Sequence, residues 1–146
     1  MLLIREEAIE RMHRDHDGLI DLIRRIQAVC SRRGLVHDCG GCINDRREFC
    51  HSNIEQLIRA FVEATLKHNV MESLYMEDGV PEAHRRAHNR AHMVIAEQLK
   101  AIRLVLSEDG NSVHAIEGID EVLQALTAHF REFDQQLEHY LVAPAA

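Results

Sequence analysis

The sequence has no Trp and few Phe or Tyr. Its interior must therefore be built from Leu, Ile, Val and Ala, which suits packed helices. Proline occurs twice and glycine is scarce, at a few points only. That excludes a fold rich in tight turns and favours long elements with short connections. No apolar run approaches the ~18 residues that would read as a membrane span. Basic excess is also missing: the net charge is -7, and a nucleic-acid partner would want a basic footprint. The start, MLLIREEAIERMH, becomes charged at once and lacks a secretory apolar region and cleavage site, so a cytoplasmic location is expected. The 146 residues, 46% of them hydrophobic, suffice for one domain with a proper core, spanning residues 1–146.

What the chain does have is histidine, 11 in all, placed on helical patterns. Three- and four-residue apolar spacing predicts four helices, over about 3–33, 45–76, 81–107 and 113–142. The first stripe is Ile9, Met12, His16, Leu19, Ile20, Ile23, Ile26 and Cys30, with Gly34 placed to end the helix. Asp45 with Glu48 forms a candidate capping box for the second helix. Its stripe is Ile54, Leu57, Ile58, Phe61, Thr65, His68, Glu72 and Tyr75. Gly79 and Pro81 punctuate the next turn. The third helix stacks His84, His88 and His92 above Ile95, Leu99, Ile102 and Leu106. The fourth carries Ile116, Ile119, Val122, Leu123, Leu126, Phe130, Phe133, Leu137 and Leu141, with His129 and Asp134 flanking that seam from its two sides. The expected fold is all-α, an antiparallel up-down-up-down four-helix bundle.

His68 and Glu72, like His88 and His92, are four apart and so share a helix face. A buried carboxylate such as Glu72 is costly unless it is paired or binds a metal. At ~1.5 Å rise per residue, His16, His68, Glu72, His88, His92, His129 and Asp134 fall in one layer of an antiparallel bundle. His84 lies nearer the open end and is expected to be an outer partner or to face solvent. His13, one turn before His16, is the fallback ligand. Five imidazoles and two carboxylates exceed the needs of one ion but suit two metals bridged by both carboxylates. Mixed nitrogen and oxygen donors suit iron, manganese or zinc. Three imidazoles on one metal and two on the other leave the second a position for a small molecule.

The stretches HRDHDGLIDLI, HNVMES, HRRAHNRAH and HFREFD touch all four helices, and together they resemble the hemerythrin family and the wider hemerythrin-like cation-binding domains. The resemblance implies two iron ions, oxo- or hydroxo-bridged, that bind O2 or another small diatomic ligand reversibly. It also implies that His88, His92 and His129 hold one iron, that His16 and His68 hold the other, and that Glu72 and Asp134 bridge them. The chain differs from the family's usual pattern at Ser73, Val80 and Ile95.

An O2 sensor or carrier is the first expectation. An enzyme on the same bundle is the alternative: an oxidase, a peroxide or nitric oxide reductase, or an iron-donating repair protein. No acid–base dyad apart from the candidate ligands is visible, which favours binding over catalysis. A zinc-bound or metal-free interaction bundle is a third reading, and no protein partner is indicated. The first connection, residues 34–45, is cysteine-bearing. Cys30, Cys39, Cys42 and Cys50 all fall around it, with Cys39 and Cys42 in a C-x-x-C unit. In a reducing cytosol the plain expectation is four thiols. A redox-active disulfide or a tetrahedral zinc site are the alternatives.

Overall fold

The computed structural model describes residues 2–31, 35–36, 38–77 and 79–142. The chain is all-helical, with no strand element among the described residues. Helix α1 spans Leu2–Gln27, α2 Asn44–Tyr75, α3 Glu82–Asp109 and α4 Ser112–His129. A π-helical turn, Phe130–Asp134, joins α4 to α5, Gln135–Val142. Helix α1 packs on α2, α4 and α5, and α3 packs on α2 and α4. No helix among the described residues is long and apolar enough to cross a membrane.

The first helix ends at Gln27, well before the expected ~33. Its last turn tightens there, with Val29 N donating to Ile26 O over 3.2 Å. Val29 and Cys30 still pack on the core from irregular chain, so apolar periodicity outlasts the helix. Gly34 lies outside the described residues. The capping box also fails to form. Ile43 is the N-cap residue, with no side-chain cap bond, and Asp45 sits inside the first turn. There its charge still meets the positive end of the helix dipole. At the next turn Gly79 takes a left-handed φ of 78°, and Pro81 is the N-cap of α3, one residue before its first turn. Gly110 takes a left-handed φ of 61° and ends α3, and Asn111 caps α4 by accepting from His114 N at 3.1 Å.

The apolar interior falls into two clusters. The larger contains Leu19, Ile23, Ile54, Phe61, Ile95, Leu99, Ile116 and Leu126, and the smaller contains Met12, Met76, Val80, Leu137 and Leu141. On each helical run the polar candidates lie in sequence between members of the two clusters. His16 follows Met12, Glu72 precedes Met76, His88 and His92 precede Ile95, and Asp134 precedes Leu137. Helices α3 and α4 approach closely at Gly118, where a Cβ would lie 2.6 Å from the Ile102 side chain.

Candidate metal centre

Four helical runs bring the seven candidate side chains to one buried place. Glu72, His88, His92, His129 and Asp134 offer ligand atoms all within 4.8 Å of one another, and so do His16, His68, Glu72 and Asp134. Glu72 and Asp134 belong to both groups. Both carboxylates are essentially inaccessible, at 0% and 1% exposure. Two buried anions side by side would be prohibitive without cations or donors around them. A His/Glu/Asp cluster of this kind could hold a metal ion.

The distances are short. His16 Nε2 lies 2.8 Å from Asp134 Oδ2, and His68 Nε2 lies 2.9 Å from Glu72 Oε1. His88 Nε2 and His129 Nε2 lie 2.9 and 3.0 Å from Asp134 Oδ1, and His92 Nε2 lies 3.0 Å from Glu72 Oε1. Yet His16 Nε2, His68 Nε2, His88 Nε2, His129 Nε2, Glu72 Oε2 and both Asp134 oxygens are buried without a hydrogen bond of acceptable geometry. Donor atoms about 3 Å apart that do not aim at one another are what neighbouring ligands of one ion look like, since each would stand ~2.1 Å from it. This donor set fits a metal.

The π-helical turn is responsible for part of this convergence. In a regular α-helix residues five apart point in well-separated directions, and the spacing of His129 and Asp134 placed them on opposite sides of the seam. Widening the turn to a five-residue hydrogen bond, with Gln135 N donating to Phe130 O, brings both side chains to the same point. Single π turns of this kind gather at functional sites.

Protons balance the charges of the metal-free cluster. Burial pulls His68 down, but the nearby carboxylates of Asp134 and Glu72 and a bond to Asp15 raise it to about 10. The same opposition raises His88 to about 9, with Asp134 and then Glu72 outweighing burial. Glu72 is pushed up by burial and pulled further down, to about 2, by His68, His88 and His92. Asp134 is held far below the usual carboxylate range, because His129, His16, His68 and His88 outweigh its burial. At His92 burial prevails and lowers the imidazole. Two imidazolium ions thus offset two carboxylates.

Further residues stand around the cluster, and spacing alone did not single out Asp15 among them. Asp15 Oδ2 accepts from His68 Nδ1 at 2.9 Å. The signal was present: Asp15 adjoins His16, and a carboxylate behind an imidazole is the usual outer support of a metal ligand. Phe130 stacks on His16 at 3.7 Å between ring centroids, and Phe133 stacks on His129 at 5.3 Å. His84 is buried, and its Nε2 shares a 3.0 Å hydrogen bond with His88 Nδ1. It is an outer partner of that ring and does not face solvent. His13 pairs with Glu138 in an exposed position and lies outside the cluster.

A groove of about 630 Å³ lies between α2 and α3 and includes none of the seven. Ligand-like volume and the clustered chemistry are therefore in different places. Comparison of the chain with family models, with curated proteins and with solved structures gave no match.

Proposed function

We propose that this chain is a hemerythrin-like non-haem di-iron protein that binds O2 or another small diatomic ligand reversibly, as a sensor or carrier. The observation that carries this reading is the sharing of Glu72 and Asp134 between the two donor groups. Each carboxylate has two oxygens and so can serve two ions at once. His88, His92 and His129 would hold one iron, and His16 and His68 the other. The unequal donor count leaves the second ion a position that no side chain fills. Mixed nitrogen and oxygen donors without thiolate suit iron or manganese as well as zinc. A bound iron pair supplies electrons to a diatomic ligand and recovers them on release.

The side chains around the site prepare it for that task. Asp15 fixes the proton of His68 on Nδ1, so the Nε2 lone pair faces inward. If the His88 proton likewise sits on Nδ1 and is donated to His84, its Nε2 is also left free for an ion. Phe130 and Phe133 set the planes of His16 and His129. Met12 and Leu137 on one side, with Leu19, Phe61 and Leu126 on the other, keep the layer dry. A dry, enclosed site limits proton access to a bound ligand and so favours its release unchanged.

An antiparallel up-down-up-down order belongs to the same reading. Contacts between neighbouring helices pair rising residue numbers with falling ones. Asp15 meets His68 while Val29 meets Cys50, and His92 meets Glu72 while Leu106 meets His51. His88 lies by His129 and His84 by Tyr140, whereas His16 meets Asp134 and Gln27 meets Asp120.

The test uses the full chain, loaded with ferrous iron without air. Exposure to air should raise a ligand-to-iron charge-transfer band that disappears under vacuum and returns on a second exposure. Irreversible bleaching, or steady consumption of O2, peroxide or nitric oxide with an electron donor, would select an enzyme instead. Elemental analysis showing no iron would reject both.

A further inference from the structure

All four cysteines of the chain meet at one place, apart from the imidazole cluster. Cys30 lies just past α1, Cys39 and Cys42 lie in the connection, and Cys50 lies in α2. Together with Arg46 and Arg47 they line a single small pocket of about 20 Å³. That volume suits one ion and no organic molecule. No disulfide joins them.

Arginine and turn bonds hold the described residues of the connection around the cysteines. Cys42 N donates to Cys39 O over 3.1 Å, which closes the C-x-x-C turn. Asp38 Oδ1 accepts from Gly40 N at 2.8 Å. Arg47 of α2 reaches back to the carbonyls of Cys42 and Gly40, at 3.1 and 3.4 Å, and Arg46 donates to Ser31 Oγ at 3.0 Å. Irregular connections of this length usually carry a function. Two arginines beside four sulfurs form a cationic frame for groups that are neutral as thiols and anionic as thiolates.

We propose that Cys30, Cys39, Cys42 and Cys50 form a second metal site, a four-thiolate tetrahedral site for a zinc-class dication that staples the connection to α2. On binding, each thiol gives its proton to solvent as its sulfur bonds the ion. Four protons are released and no electrons move. The resulting centre carries two negative charges, which Arg46 and Arg47 offset. The sulfurs are less tightly gathered than either imidazole–carboxylate donor group, within each of which the ligand atoms fall within 4.8 Å, so the ion would draw the connection inward. A Cys39–Cys42 disulfide would need an external oxidant and would leave Cys30 and Cys50 without a role. The four-thiolate site uses every sulfur around the pocket.

Cobalt(II) is the probe, added to the metal-depleted, reduced full chain. One equivalent should produce the thiolate-to-cobalt charge-transfer and tetrahedral ligand-field bands, and zinc should abolish them. A Cys39→Ser, Cys42→Ser double variant should lose these bands, and a His68→Ala, Glu72→Ala variant should keep them. In the unaltered protein one zinc should take the number of thiols reacting with a colorimetric disulfide from four to none. This readout holds even if the double variant fails to fold. Four thiols that react as freely with zinc as without it would overturn the proposal. So would cobalt bands that survive the cysteine changes, or a disulfide in the protein as purified under reducing conditions.

Discussion

The imidazole–carboxylate layer and the cysteine cluster are both convergences of donors, but they are built differently. The first hangs from regular helices, inside the interior, between two apolar clusters. Within each of its two donor groups the ligand atoms already lie within 4.8 Å of one another, because helix packing fixes the backbones and stacked rings hold His16 and His129. The second takes three of its four sulfurs from irregular chain, where arginine and turn bonds hold the described residues. A site on rigid elements is pre-organised before its ion arrives; one on a loop is organised by the ion. The first should therefore bind metal without much change in fold, and the second should gain order on binding.

The largest effect expected is at Glu72. Replacing it by Ala removes a carboxylate shared by both groups, so iron should fall from two per chain to less than one by elemental analysis. His68→Ala should lose at least the ion it serves. Neither change should touch the cobalt–thiolate bands, and their loss would erase the distinction between the two regions.

Next in size is the pH dependence of the metal-free protein. His68 and His88 are raised above their ordinary 6.5, to about 10 and about 9. Their contribution to stability is complete below pH 6.5 and is lost as pH rises through 9 to 10. Glu72 is lowered to about 2 from 4.5, so its contribution is complete above 4.5 and is lost as pH falls toward 2. Burial lowers His92 and His84 from 6.5, so their contribution is complete above 6.5 and is lost as pH falls below it. Thermal melts of the metal-free chain should thus peak near pH 6.5. Iron bound there would replace the imidazole protons, so the loaded protein should lack the alkaline decline. An identical decline with and without iron would mean that these protons are not where the metal binds.

A smaller effect is expected at Asp15. Asp15→Asn should keep the fold and weaken metal binding by about 10- to 100-fold, the usual loss when an outer partner of a ligand is changed. Metal-competition titration would measure it. The smallest belongs to His84, which touches a ligand without being one. His84→Ala should retain two irons per chain, with a modest shift in the absorption spectrum. Equal metal loss for His84→Ala, His68→Ala and Glu72→Ala would overturn the register on which the site rests.

Much of the site was legible before any coordinates. Four-residue spacing alone stacks His68 on Glu72 and His88 on His92, because the α-helical period is a local property of the chain. Apolar stripes located the helices, and the layer common to the seven donors followed from the rise per residue. The sequence by itself thus determined the helices, their buried faces and the donor chemistry. Tertiary structure alone decided the rest. The widened turn at Phe130–Asp134 unites His129 with Asp134, against what their spacing implies. Asp15 turns inward behind His68, and His84 turns toward His88. The end of α1 at Gln27 is likewise invisible in a stripe that runs on to Cys30. The physical reason is common to these cases. Which way a residue at the edge of a stripe turns, and where a helix widens or stops, depends on the rotation and height of the neighbouring helix, and no local period encodes either.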